Sequence, residues 1–484
     1  GLPAYATYFG RDMLVSALMM RPIWRDEMSA FVVASVLRKL SPTGQVSHEE
    51  ALGGQAVREA AAEYASLIDQ YARAVTSGRG NADTLMVRAR DVLRDHRRVR
   101  ENYHMVDDEL QLPVLAARWL GDPRVPASQK RAFLFDSSDG AGPRLTRLLR
   151  ELDLVARMTA PYAAAADATN LIAFAPRDSG WASSSWRDSG VGYAGGRFAM
   201  DVNAIWAPHA IESIGTILQS LRDLGISADD VARRLQPRAP PEPAIIRYAR
   251  DTALLRRAID AWWSASNHFL VRLGPDDVRA RVAARLDSLP PAERSYWNQV
   301  VTQTGASNDS LTFLALALDA QGRPIGVANS DPATGLFLGG HLAKDEVRRD
   351  VGLFVRPYPV GLFIDGVGPV VANDAYATPR VWAAFERDRY HGPRVVWGRE
   401  VNLFLAGAAQ RIERSNDPAY SAELRAAIEK VTAAAEASGF QSELWSYELR
   451  DGRMVPVRYG TGSDVQLWST TDLTVQFLLS RLRR

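Results

Sequence analysis

The feature that most constrains this chain is a succession of helical patterns that runs from one end to the other. Apolar residues recur at three- and four-residue spacing over 13–22, 28–40, 56–74, 81–94, 105–121, 143–158, 201–223, 228–235, 243–267 and 277–286. The pattern resumes over 341–350, 374–387, 399–412, 419–435 and 469–483. Between lies a Gly-, Pro- and Asn-punctuated loop, 296–345, in which the apolar run 309–319 reads as one further helix. No strand–helix alternation of the kind that builds a parallel sheet is present. One hairpin is predicted within 439–467, turning at Asp451-Gly452. The fold class is therefore all-α. Helices in pairs, with polar and aromatic residues in every second connection, predict stacked helical hairpins, and a closed ring of these would gather the connections at one mouth. The Pro-rich stretch QPRAPPEP (236–243) is short enough to join two helices, so 1–484 reads as one domain.

Composition excludes several partners. With 58 basic and 56 acidic residues the net charge is +2, which gives no global electrostatic case for nucleic acid. The basic run RDHRRVR (94–100) reads as the solvated end of a helix. No apolar run reaches membrane-spanning length. The absence of cysteine removes disulfides, thiolate chemistry and sulfur-held metals, and leans towards a periplasmic or secreted protein without fixing the compartment. Seven scattered histidines give no metal-ligand spacing, and DAQGRPIG lacks the acidic positions of a calcium loop, so no metal and no cofactor are expected. The opening, GLPAYATYFGRDM, enters a motif almost at once and reads as a processed or truncated start.

The densest chemistry lies between Asn170 and Ile211, where Asp178, Asp188 and Asp201 are interleaved with Trp181, Trp186 and Trp206. RDSGWASSSWRDSG is too rich in Ser and Gly for a helix interior. Such a loop suits a carbohydrate cleft, with aromatic faces for a sugar ring and a carboxylic acid for a glycosidic oxygen. Asp178 and Asp188 share the pattern Arg-Asp-Ser-Gly, and by chemistry alone either could be a general acid; Trp186 offers Asp188 the desolvation an acid needs. Asp201, opening a helix, reads as a cap or as an acceptor behind the site. Arg11 and Asp12 can clamp vicinal hydroxyls, one donating and one accepting. His391, in a Gly-Pro turn ahead of Trp397, fits a ring-binding pocket. Glu443, between Ser442 and Trp445, is favoured as general base over Glu448, with Glu400 in reserve, and Gln466 and Trp468 could support the base loop.

Taken together, YFGRDM (8–13), GQVSHEE (44–50), YHMVDDELQLP (103–113), SSWRDSG through DVNAIW (184–206), LALDAQGRPIGVANSD through LFLGG, YHGPRVVW (390–397) and SEL through VQLWS (442–469) resemble, in order, the catalytic domain of the amylo-α-1,6-glucosidase (glycogen-debranching) type. More widely, the chain is similar to the glucoamylase, trehalase and processing-glucosidase assemblage. The resemblance implies an (α/α)6 toroid, with an upstream β-sandwich domain or chain as a partner that these 484 residues lack. It implies an inverting, exo-acting glycoside hydrolase that releases a sugar, glucose by preference, from α-linkages of an oligosaccharide or polysaccharide. Asp188, in its Trp-x-Asp context, falls on the family's catalytic acid, and Glu443 on its base. Arg11 and Asp12 fall on residues that hold the terminal sugar; Asp107, His391 and Trp397 match further pocket positions, with Trp186 and Trp468 beside them. SGVGYAGGRFAM and the lengthened YHGPRVVWGRE depart from the family pattern where substrate subsites belong. Alternatives are a trehalase-, rhamnosidase- or glucuronidase-like hydrolase on the same fold, a polysaccharide lyase, or a non-catalytic carbohydrate-binding protein.

Overall fold

The computed structural model describes residues 7–78, 81–177, 180–235, 242–388, 390–439, 443–459 and 466–483. These are mostly helical, about 60% helix against 11% strand. Helix α1 (Gly10–Met20) buries every residue but Asp12 and Met13, and gives way to a turn at Arg21-Pro22. Helix α2 (Asp26–Arg38) starts on two acids that suit the exposed N–H groups of a first turn and buries Ser29, Val32, Val33, Val36 and Leu37, a single stripe. Helices α3 (Gly53–Ser77) and α4 (Ala82–Arg94) pack on each other and bury only Ala56, Ala60, Leu67 and Ala89. The basic run that follows α4 is exposed at 95–99, as its composition predicts. Helix α5 (Asp107–Leu120) is different: all its residues except Arg118 are buried, the mark of a central helix packed on all sides.

The packing has a definite order. α1 lies against α5, and α5 against α7 (Ala207–Asp223), which is entered through the π-wound turn Asp201–Trp206. That turn meets α9 (Pro332–Leu338); α9 packs on α11 (Gly398–Glu413), α11 on α13 (Asp472–Leu482), and α13 returns to α1. Thr474 donates to the Met20 sulfur at 3.4 Å across this last contact. Outside the succession, α2 covers α1 and α5; α6 (Arg144–Ala164) covers α5 and α7, and α8 (Thr252–Trp263) covers α6 and α7. α10 (Lys344–Val355) covers α9, and α12 (Pro418–Ser438) covers α10 and α11. Where α9 meets α11, a Cβ on Gly407 would stand 2.6 Å from the Phe337 nitrogen, so only glycine permits the approach. No helix among the described residues is long and apolar enough to cross a membrane.

Three expectations are corrected. The run 309–319 is not a helix: Leu311–Leu314 pairs with Leu270–Leu273, and Ala317–Leu318 lies between Phe198–Ala199 and Pro324–Ile325. A largely apolar run of this length fits a strand buried on both faces as well as a helix, and here the strand partners decide. The reading of 296–345 as mainly loop also misses the C-terminal part of the helix Pro291–Thr304 and the whole of α9. The pattern over 243–267 divides into Ala244–Arg250 and Thr252–Trp263 because Asp251 caps the second helix, its side chain accepting from the Leu254 N–H. The expected hairpin forms. β1 (Val396–Trp397) pairs with β2 (Leu444–Arg450), which pairs with β3 (Arg453–Arg458). Asp451 and Gly452 both adopt left-handed φ, 49° and 73°, as a two-residue turn of this hand requires.

Candidate active site

The site begins with a close backbone approach. A Cβ on Gly10 would sit 2.3 Å from the Ser47 carbonyl, and the Gly10 N–H donates to the His48 carbonyl at 2.7 Å. This draws the start of α1 against the GQVSHEE loop, where His48 Nδ1 lies 2.9 Å from Asp108 at the start of α5. Arg11 is thereby held among three carboxylates: Asp188 at 3.0 Å, Asp107 at 3.7 Å and Asp12 at 3.8 Å. Asp107 is sealed, and burial pushes its carboxyl up to about 6 although Arg11 opposes this. Asp188 behaves oppositely. Burial pushes its carboxyl up, but the Arg11 charge and hydrogen bond outweigh that and hold it below the ordinary carboxylate range. Its side chain is 40% exposed, the most open of this group.

Behind Asp188 stands a tight aromatic assembly. Trp186 meets His391 and Trp397 edge-on at 5.4 and 5.7 Å, and His391 stacks on Trp397 at 5.7 Å. The Arg399 guanidinium lies over Trp186 and Trp468 at 4.8 and 5.3 Å, within cation–π range of both. Trp186, Trp397, Trp468 and His391 are all buried. The tryptophan rings mainly face one another, His391 and arginine, and so brace this part of the molecule. Next to Trp186, the fully buried Arg187 makes a forked contact with Asp331 and donates to the carbonyls of Val371 and His391. Ser330 donates to Glu400, and Ser185 to Asp201. Burial, helped by Asp331 in both cases, pushes Asp201 and Glu400 up to about 7, while Arg399 pulls Glu400 the other way. Asp201 is thus a buried acceptor for the Ser185 hydroxyl. Glu400, 1% exposed and engaged by Ser330, has no surface from which to activate a water.

Glu443 enters from the hairpin. Its carbonyl accepts from the Gly398 N–H at 2.9 Å, and the next residue, Leu444, pairs with Trp397. Leu444 shares a small apolar cluster with Trp186, Val371, Val395 and Trp397. The segments that carry Asp188 and Glu443, 255 positions apart in sequence, therefore converge on one cluster. Glu448 lies further along β2, exposed and paired with Arg450. Asp178, and residues 440–442 and 461–465 beside Glu443 and Gln466, lie outside the described residues. Sequence reasoning passed over Arg187, Asp331, Arg399 and Asp388. Their signal was faint: Arg187 is the first letter of the second Arg-Asp-Ser-Gly, and only its position next to Trp186 sets it apart from the first.

Among the described residues no group of three or more His, Asp or Glu side chains is arranged to hold a metal ion. No protein-family model and no curated protein matches this chain.

Proposed function

We propose that the protein is an inverting, exo-acting glycoside hydrolase built as an (α/α)6 toroid, releasing a terminal sugar, glucose in the first instance, from α-linked oligosaccharides. The observation that carries the reading is the convergence of residues from both ends and the middle of the chain: Arg11, Asp107, Asp188 and His391, with the Glu443 strand joined to Trp397. The unbroken order of helix contacts from α1 through α5, α7, α9, α11 and α13 back to α1 supports the ring. In the reaction, one carboxylic acid gives its proton to the glycosidic oxygen as the bond to the anomeric carbon breaks. The second carboxylate takes a proton from the water that attacks that carbon from the opposite face. Arg11 and Asp12 hold the hydroxyls of the departing sugar, so binding energy away from the reacting centre orients it.

One observation favours a second assignment of roles. Arg11 keeps Asp188 ionised in the free protein, whereas a general acid must carry a proton. Either sugar binding separates the pair, or Asp188 is the base and Glu443 the acid. Aryl glycosides with very acidic leaving groups separate the two, because they need no protonation. If Asp188 is the acid, Asp188→Asn retains most of its activity on the dinitrophenyl α-glucoside and loses it on maltose, and Glu443→Gln loses both. The reverse pattern exchanges the roles. Near-normal turnover of maltose by both variants removes the hydrolase reading.

A further inference from the structure

The residue after Asp188 belongs to a chain of hydrogen bonds that the hydrolytic reading does not use. Ser189 Oγ lies 2.5 Å from Asp388 Oδ2 and 2.9 Å from His391 Nδ1. Asp388 Oδ1 is committed as well, accepting from the backbone N–H groups of Tyr390 and His391 at 2.9 and 3.1 Å. All the polarity follows from one proton. A hydroxyl has a single hydrogen, and beside a carboxylate oxygen that hydrogen is donated to it, so Ser189 offers His391 only a lone pair. His391 Nδ1 must then carry the hydrogen of that contact. Burial pushes the imidazole down to about 4, so near neutrality it holds one proton, on Nδ1, and Nε2 is bare. Packing opposes a turn of the ring that would exchange the two nitrogens: it is stacked on Trp397 and met edge-on by Trp186.

We propose that Ser189 and Asp388 are positioning residues that fix His391 as the Nδ1–H tautomer, so that beside Asp188 it presents an acceptor, Nε2, to a hydroxyl of the bound sugar. The sugar-binding half of this inference rests on the hydrolase reading; the tautomer does not. Asp388→Asn makes the test sharp. The two backbone N–H groups keep the amide oxygen at the Oδ1 position, which turns the amide nitrogen towards Ser189. The serine must then accept from the amide and donate to His391 Nδ1, and the imidazole proton moves to Nε2.

The experiment is the two-bond nitrogen–proton correlation spectrum of 15N-histidine-labelled full chain at pH 7.5, with His391→Gln used to assign the signal and no substrate present. The Nδ1–H pattern is expected for the wild type and the Nε2–H pattern for Asp388→Asn. A wild-type Nε2–H pattern, or an Asn variant that keeps the Nδ1–H pattern, overturns the proposal. Should Asp388→Asn not fold, Ser189→Ala serves: it is expected to give a mixture of tautomers, and a pure Nδ1–H signal overturns the relay. If the wild type also turns over maltose, Asp388→Asn raises KM by about three- to tenfold, the worth of one hydrogen bond, with kcat nearly unchanged; a fall in kcat with unchanged KM overturns the sugar-binding half. Absence of turnover by the wild type would count against hydrolysis and leave the tautomer result standing.

Discussion

At the Asp188 carboxyl two influences meet, and its neighbours, Arg11 foremost, decide between them. Burial favours the neutral acid; Arg11 at 3.0 Å favours the anion and prevails. Arg11→Met should therefore raise the Asp188 titration, read from its carboxyl carbon by NMR; an unchanged midpoint would show that Arg11 is not the cause. The same change leaves Asp107, fully buried, without its nearest cation. The expected loss is about 3 kcal/mol at pH 7 in urea unfolding, and less at pH 5 where Asp107 takes up a proton. Arg187 and Asp331 form a second sealed pair. Arg187→Met alone should lose about 3–5 kcal/mol, while Arg187→Met with Asp331→Leu should lose clearly less, because the double variant strands no buried charge. Additive losses in that cycle would mean that the pair is not coupled. The grouping of Arg11 with Asp12 and Asp188 was within reach of the sequence, because all three stand in short Arg-Asp motifs. The pairing of Arg187 with Asp331 was not: the two are 144 positions apart, and no local pattern records which arginine a fold will bury.

Among the elements, helix α6 carries a buried acid of a different kind. Among the described residues neither oxygen of Glu151 has a hydrogen-bond partner, and burial, with Glu109 of α5 nearby, raises its carboxyl well above the ordinary range. The folded state then keeps a proton that the unfolded chain releases near pH 4.3, its unperturbed value being about that. Above that pH the unfolded state binds fewer protons than the folded one, so this residue's contribution to stability falls as pH rises towards the folded value. Glu151→Gln removes the titration. Between pH 5 and 8 the wild type should lose stability relative to the variant in chemical denaturation, and a constant difference across that range would contradict the assignment. At this scale the sequence was a good guide wherever a periodic stripe met a clear stop, as in α1, α2, α5 and the Asp451-Gly452 hairpin. It failed at 311–318, where LTFLALAL has only Thr312 to hint at its period and the partner strands, Leu270–Leu273 and Phe198–Ala199, lie elsewhere in the chain.

Across the whole molecule, what matters is that the last helix returns to the first. α13 packs on α1 and α11, so the segments holding Arg11 and the Trp468 turn are neighbours although they come from opposite ends. Most of the helices could be anticipated from spacing, though not α9, which lies in a stretch that reads as loop; the order of contacts could not, because a helical stripe shows that a face is covered without showing by what. The segments that carry Asp188 and Glu443, so distant in sequence, meet at one apolar cluster. The most direct test of the account is the configuration of the first product, followed by proton NMR in the opening minutes of maltose hydrolysis before mutarotation. The account predicts β-glucose from the α-linked substrate, formed by the wild type and lost in the Asp188→Asn, Glu443→Gln double variant. Release of α-glucose first, or the same release from the double variant, would contradict it.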